Sequence, residues 1–170
     1  MSRWRAFALT MIPAVLVVVA DQVSKAVVSD LFSLYQVRPV IAGFFNLTFI
    51  TNTGAAFGIF ARSGGFLRTW LLGGVAVAAL VALVFAWRHL KDNHRLYPLA
   101  IGLIGGGAVG NLIDRVRFGA VVDFLDFYIG RYHWPAFNVA DSAITVGVAL
   151  FILAGFLEKG SADNKTISEI

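Results

Sequence analysis

The sequence contains no cysteine, and only 14% of its 170 residues are charged. The lack of cysteine excludes thiol catalysis, disulfide bonds and cysteine-ligated metal sites. A soluble domain carries about 25% charged residues, so the small charged fraction argues against a soluble fold. The formal charge is a modest +4, and no basic run interleaved with aromatic residues is present. We therefore expect no nucleic-acid partner.

Motifs for a metal or a serine nucleophile are also missing. The sequence holds neither H-E-x-x-H nor G-x-S-x-G. His89 and His94 are predicted to lie on the membrane face opposite the acidic residues discussed below, and His133 is alone, with no second histidine to share a metal ion. We predict no metal site and no cofactor.

Long apolar runs dominate what is present. Hydrophobic residues make up 58% of the chain, which predicts an integral membrane protein with one domain over residues 1–170. About 20 apolar residues cross a bilayer. The N-terminal run follows basic residues as a secretory signal would, but it lacks a good cleavage site, so we predict a retained span. The four predicted spans are residues 6–28, 69–87, 96–113 and 142–157.

A fifth uncharged run, residues 39–61, is long enough to span but is predicted to form strands. It contains several Asn and Thr residues, and its segment F-N-L-T-F alternates apolar and polar side chains with period two. We predict a small sheet on the membrane surface.

Four spans place the polar blocks on one membrane face, whichever way the chain is oriented. Residues 21–25, 29–66, 111–115 and 116–141 all fall on that side. The tails and the loop of residues 88–95 lie opposite and hold seven Lys or Arg residues within about 25 positions, against seven within about 70 on the polar face. Because the positive-inside rule weights short segments, we predict cytoplasmic termini and an outer polar face.

Two carboxylates on that face are the candidate catalytic groups. Asp123 and Asp141 each stand among apolar neighbours, where an unpaired charge is costly. Asn138 followed by Asp141 also fits a helix N-cap with an acid at its third position, so a purely structural role for Asp141 competes with the functional pair.

Three further patterns could shape the same site. Asp21 and Lys25 are four residues apart and could form an ion pair on one helix face, whether structural or functional. Asn111 and Arg115 have the same spacing and could serve either as interhelical hydrogen-bonding groups or as part of the site. Glycines recur every four residues at 102, 106 and 110, which favours close helix packing in lipid.

A pair of acids with a water molecule is a hydrolytic device. Two charges about 4 Å apart repel by about 4 kcal/mol at an effective dielectric constant of about 20, so one proton is shared near neutral pH. The ionised acid then takes a proton from water and the protonated acid supports the carbonyl oxygen. The helix dipole favours the charge on Asp141, which leaves Asp123 as the expected proton holder.

The sequence resembles the lipoprotein signal peptidase (signal peptidase II) family of bacterial aspartic peptidases. The matching blocks cover most of the chain: D-Q-V-S-K at 21–25, N-L-T-F-I-T-N-T-G-A-A-F at 46–57, G-N-L-I-D-R at 110–115, V-V-D-F at 121–124 and P-A-F-N-V-A-D-S-A-I at 135–144.

This resemblance implies a fold, an activity and a set of site residues. The fold is mainly α, with four transmembrane helices, a small β-sheet cradle and a short helix on the outer face. The activity is cleavage of diacylglyceryl-modified prolipoproteins before the lipidated cysteine, by a monomer in the bacterial plasma (inner) membrane, with contacts to membrane lipid and inhibition by globomycin-like peptides. Asp123 and Asp141 match the catalytic dyad. The residues that match substrate-binding or site-shaping positions are Asp21, Lys25, Asn52, Gly54, Asn111, Arg115 and Asn138.

Two other function classes fit the composition. A small proton-coupled transporter could use Asp21, Asp123 and Asp141 as a relay, although such proteins often show internal repeats and acids near the bilayer centre. An assembly subunit could pack through the glycine face. Incubation of purified protein with a lipidated precursor separates these classes from a peptidase.

Overall fold

The computed structural model of the chain describes residues 1–54 and 65–168, and its framework is four long helices. They are α1 (Arg3–Leu31), α2 (Gly65–Leu90), α3 (Leu96–Phe118) and α4 (Val139–Ser168). Each contains a segment long and apolar enough to cross a membrane: Arg3–Leu31, Leu71–Leu90, Leu96–Phe118 and Val139–Lys159. The predicted four-helix membrane fold is confirmed, and the described residues hold no separate short helix beside these four.

All four helices reach beyond the predicted spans, and the extensions of α3 and α4 carry site residues. α3 continues past Ile113 to Phe118, so Arg115 lies inside the helix. α4 begins at Val139, so Asp141 lies in its first turn, as the N-cap interpretation of Asn138 predicted. The apolar-run criterion measures the length compatible with lipid, whereas these helix ends are stabilised by polar contacts within the protein.

The central helix is α3, which packs against α1, α2 and α4. Glycines permit its closest approaches. A Cβ atom at Gly102 would lie 2.3 Å from the backbone oxygen of Thr10 in α1, and one at Gly107 would lie 2.4 Å from that of Ala140 in α4. The packing role predicted for the glycine repeat is confirmed, since backbone meets backbone where a side chain would not fit.

A four-stranded antiparallel sheet contacts α1 and α3 in the order β1-β2-β3-β4. Its strands are β1 (Val37–Ile41), β2 (Phe45–Asn52), β3 (Val121–Ile129) and β4 (Tyr132–His133). The prediction of strands within residues 39–61 is confirmed for β1 and β2, which end at Asn52, and residues 55–61 lie outside the described part of the chain. The sheet also takes in residues 121–133, for which no strands were predicted.

Both faces of β2 are used for packing inside the protein. Leu47 and Phe49 pack against the buried cluster that includes Phe32 at the end of α1. Asn46 is buried and donates a hydrogen bond from Nδ2 to Asp126 Oδ2 at 2.8 Å. The period-two pattern therefore gave the strand correctly, but its polar side chains are paired within the protein instead of facing water.

The contacts around each glycine predict that the effect of a Gly→Ala substitution on stability depends on its position. Gly102→Ala should lower the free energy of unfolding by about 1–3 kcal/mol, because the added methyl group meets backbone atoms that cannot rotate away. Gly74→Ala is the matched control: outside the backbone of its own helix, no atom of the described residues lies within 4 Å of its Cβ position, and alanine favours a helix over glycine by up to about 1 kcal/mol. Thermal unfolding in detergent measures both, and equal melting temperatures for the two variants would contradict the packing argument.

Candidate active site

The two candidate catalytic acids come from different elements. Asp123 is the third residue of β3 and lies opposite Ile50 of β2, and Asp141 lies in the first turn of α4. Only 3% of Asp123 is exposed, and its carboxyl group is close enough to Asp141 to be influenced by that negative charge. The fold thus brings together on one side of the protein two acids that are 18 residues apart in sequence.

Asn138 touches both acids. Its Oδ1 accepts a hydrogen bond from the backbone N–H of Asp141 at 2.9 Å, and its own backbone N–H donates to Asp141 Oδ2 at 3.3 Å. These reciprocal bonds form a capping box at the start of α4. The Nδ2 atom of Asn138 donates to Asp123 Oδ1 at 2.8 Å. Asn138 therefore caps α4 and contacts both acids at the same time. The structural and the functional interpretations of Asp141 do not exclude each other.

Asn111 connects Asp141 to the buried Lys25. Its Nδ2 donates to Asp141 Oδ1 at 2.7 Å, and its Oδ1 accepts from Lys25 Nζ at 3.1 Å. An ammonium group can only donate hydrogen bonds. The amide oxygen of Asn111 must therefore face Lys25, and its N–H₂ group must face the acid.

Asn52 is oriented by the same logic. Its Oδ1 accepts from the backbone N–H of Gly54 at 3.0 Å, and its Nδ2 donates to Asp123 Oδ2 at 3.1 Å. A backbone N–H is also a pure donor, so the amide cannot turn over without placing two donors face to face. Gly54 thus takes part through its main chain.

The three asparagines together give the acids a set of neutral donors with fixed direction. Each asparagine turns its oxygen to a donor-only group and its N–H₂ to a carboxyl group. Hydrogen bonds of this kind stabilise a carboxylate without adding a positive charge that would hold both acids ionised.

Asp21 and Lys25 form the predicted ion pair, with Lys25 Nζ 2.8 Å from Asp21 Oδ2. Both are buried, with relative exposures of 0% and 3%. The Oδ1 atom of Asp21 accepts from the backbone N–H of Ala140 at 2.9 Å, which satisfies one of the free donors at the start of α4. This pair therefore supports the acids indirectly, through Asn111 and the α4 terminus.

Arg115 supplies a positive charge near both acids. Its Nη1 donates to the backbone oxygen of Asn111 at 3.2 Å, and its charge interacts favourably with Asp141 and Asp123. The residue as a whole is half-buried. It lies on the same helix face as Asn111, as the four-residue spacing predicted.

Asp123 holds a proton more strongly than an ordinary aspartic acid. Burial raises the pKa of Asp123 to about 7, and the negative charge of Asp141 adds to the effect. The hydrogen bonds from Asn52 and Asn138 and the charge of Lys25 act in the opposite direction on this pKa without cancelling it. With a pKa of about 7, Asp123 keeps its proton in about half of the molecules at neutral pH.

Sequence reasoning did not single out Asp114 or Gln22. Asp114 is 1% exposed, with Oδ2 2.9 Å from Lys25 Nζ, and Gln22 Nε2 donates to its Oδ1 at 3.0 Å. A signal for Asp114 was present in the sequence. It follows Gly110 by four residues, so it lies on the helix face that the glycine repeat marks as packed. A charged residue on a packed face requires a partner.

His133 has an acidic partner that the sequence did not indicate. Its Nδ1 lies 2.8 Å from Asp126 Oδ1, and the two residues belong to the paired part of β3 and β4 or directly beside it. The histidine is at the exposed end of the sheet, where a single residue in a sequence gives no sign of its cross-strand neighbours. Among the described residues, no group of three His, Asp or Glu side chains is placed to hold a metal ion.

Comparison with known proteins gives a consistent result. Residues 13–157 match the family described as signal peptidase (SPase) II. The lipoprotein signal peptidase of Desulforapulum autotrophicum is 50% identical over 139 residues, which cover 81% of this chain and 85% of the relative. That of Cupriavidus taiwanensis is 52% identical over 151 residues, covering 88% and 80%. A solved bacterial membrane enzyme superposes with a TM-score of 0.76 at 38% identity over 88% of both chains.

The pKa argument predicts how Asp123 titrates. In infrared spectra, the protonated-carboxyl band that Asp123→Asn removes should disappear as pH rises through about 7. In Asp141→Asn the band should disappear at lower pH, because the neighbouring negative charge that favours the proton is gone. Asp126→Asn, a change at another buried acid, is the control and should leave the band unchanged. A band with the same midpoint in Asp141→Asn would show that the two acids are not coupled.

Proposed function

The chain belongs to the signal peptidase (SPase) II family, and on that basis we propose that Asp123 and Asp141 are its catalytic dyad. As a member of that family it is a multi-pass membrane peptidase of the aspartic class, and its substrates are prolipoproteins. The observation that carries the dyad is the pair of acids joined by Asn138, one of which has a pKa raised to about 7.

Asp141 is the general base in this proposal. Its carboxylate accepts from the Asn111 amide at 2.7 Å and lies in the first turn of α4, where the helix dipole stabilises negative charge. In this role Asp141 takes a proton from a water molecule as the water oxygen attacks the scissile carbonyl carbon.

Asp123 is the general acid. Its buried carboxyl group holds a proton near neutral pH and donates it to the carbonyl oxygen as the tetrahedral intermediate forms. When the C–N bond breaks, the leaving amine takes the proton that Asp141 accepted from water. The hydroxyl of the intermediate returns a proton to Asp123, which restores the starting state of the pair.

Arg115 is proposed to bind the substrate rather than to exchange protons. A guanidinium stays charged throughout the reaction and offers several donors in one plane. Its position beside both acids allows it to hold a carbonyl oxygen of the signal peptide or an ester oxygen of the lipid by charge-assisted hydrogen bonds.

The topology proposed for the membrane follows from the distribution of basic residues. The tails and the loop of residues 88–95 carry the denser positive charge, which supports cytoplasmic termini and a site at the outer face. At that depth the diacylglyceryl chains of a precursor remain in the bilayer while the peptide bond before the lipidated cysteine reaches the acids. The lipid then fixes the register of the bond, and register of this kind lowers a reaction barrier by several kcal/mol.

The remaining partners are proposed from the same site. We propose that globomycin-like peptides inhibit this chain by lodging between Asp123 and Asp141. The dyad and the three asparagines all come from a single chain, which supports a monomer as the active unit. The family assignment selects the peptidase over the transporter and the assembly subunit.

Replacing either acid should abolish cleavage. Asp123→Asn removes the proton donor and Asp141→Asn removes the base, and one acid cannot perform both roles. Cleavage of a diacylated precursor by wild-type enzyme should also fall as pH rises through about 7, because Asp123 then loses the proton it must donate. Asp126→Asn is the control and should cleave normally. Normal turnover by either dyad variant would exclude the assignment.

Arg115 should be the most sensitive of the supporting residues. We expect Arg115→Ala to lower kcat/KM by about 10²–10³, as the loss of a donor to developing negative charge does elsewhere. Alanine at Asn52, Asn111 or Asn138 should lower it less, and all four changes should affect activity more than melting temperature. Arg117→Ala, a change at an exposed arginine two residues along α3, is the matched control. Wild-type cleavage by Arg115→Ala would return Arg115 to a structural role.

A further inference from the structure

Asp114 is a buried charge that the proposed reaction does not use. It is 1% exposed, so it cannot touch a substrate that enters from the membrane or from water. It lies one turn beyond Gly110 in α3, at the point where α3 meets α1 and the start of β3. A buried carboxylate is retained at a cost unless its surroundings compensate it.

Its two oxygens accept hydrogen bonds from three donors on two other elements. Oδ2 lies 2.9 Å from Lys25 Nζ and accepts from the Val122 backbone N–H at 3.1 Å, and Oδ1 accepts from Gln22 Nε2 at 3.0 Å. The Gln22 amide cannot turn over, because Nε2 also donates to Asp21 Oδ2 and the Gly110 oxygen. Both oxygens of Asp114 must therefore be acceptors, and an asparagine would place two donors in contact in either orientation.

These contacts lead to both catalytic acids. Lys25 is held between Asp114 and Asp21, and from that position its third hydrogen bond fixes the Asn111 oxygen. Asn111 in turn must present its N–H₂ to Asp141. On the other side, Asp114 binds the backbone of the residue directly before Asp123.

We propose that Asp114 is a positioning residue for the reaction: it holds Lys25 against Asn111, so that the amide of Asn111 stays directed at Asp141, and it anchors β3 immediately before Asp123. This inference rests on the proposed dyad. Gln22 contributes to the same positioning, because it donates a hydrogen bond to the second oxygen of Asp114 and prevents the carboxylate from turning away from Lys25.

A purely structural role would have a different signature. Loss of a stabilising buried contact lowers the folded fraction or the melting temperature and leaves the folded enzyme with normal kinetic constants. A positioning role lowers kcat with little change in KM, because ground-state binding does not involve Asp114. It also makes the effect of Asp114 depend on the presence of Asn111, since coupled residues are non-additive.

The experiment is a double-mutant cycle measured on purified enzyme in detergent with a diacylated precursor peptide. Asp114→Asn should lower kcat about tenfold or more with KM nearly unchanged. In the Asn111→Ala background the same change should lower kcat by less than about threefold. This smaller loss is the part of the effect that is transmitted through Val122. Asp126→Asn is the control: it also removes a buried carboxylate that binds side-chain donors, but it should leave kcat unchanged.

A second variant tests the same proposal in case the Asp114→Asn protein does not fold. Gln22→Met removes one donor without changing the charge, and it should lower kcat in wild-type enzyme and not in the Asn111→Ala background. A folded Asp114→Asn or Gln22→Met enzyme with wild-type kcat overturns the proposal, and so does an equal loss with and without Asn111. If only the positioning proposal fails, the Asp123→Asn and Asp141→Asn enzymes are still inactive. If either of these two enzymes cleaves the precursor, the proposed dyad itself is wrong.

Discussion

The buried ammonium of Lys25 is the interaction on which the rest of the site depends. Taking a charge out of water costs several kcal/mol unless strong partners replace the water. Lys25 has three: Asp21 at 2.8 Å, Asp114 at 2.9 Å and the Asn111 oxygen at 3.1 Å. Through these partners α1 is joined to α3, to the start of β3 and to the first turn of α4. The same three bonds decide which end of the Asn111 amide faces the dyad, so stability and catalytic geometry share one arrangement.

That arrangement requires α3 to approach its neighbours closely. A Cβ atom at Gly110 would lie 2.6 Å from Asp21 Oδ2, so any side chain there would displace the carboxylate that pairs with Lys25. Within a bilayer, apolar side chains gain little by leaving lipid for protein. Close backbone packing and satisfied polar groups must then supply the cohesion. The glycine repeat and the buried ionic cluster are therefore two parts of a single solution to the problem of holding helices together in lipid.

The dyad is tuned by burial more than by direct pairing with positive groups. Its supporting contacts are mainly amide N–H₂ groups, which stabilise a carboxylate moderately, whereas a direct salt bridge would keep both acids ionised and leave no proton donor. Burial and the charge of Asp141 keep the pKa of Asp123 near 7, within the range where an acid both holds and releases a proton. Arg115 lies beside the two acids, and its positive charge is proposed to bind the substrate.

Apolar run length, period-two alternation and an acid among apolar residues are local signals, so the membrane class, the four spans, the strands that end at Asn52 and the candidate pair of acids could all be predicted from the sequence alone. Motif blocks that resemble a known family added most of the supporting residues. Three features could be seen only in the folded structure: residues 121–129 form a strand, His133 pairs with Asp126, and Asp114 is a buried partner of Lys25. Each of these depends on which distant residue lies opposite, and pairing across helices and strands is fixed by packing in three dimensions rather than by any local pattern.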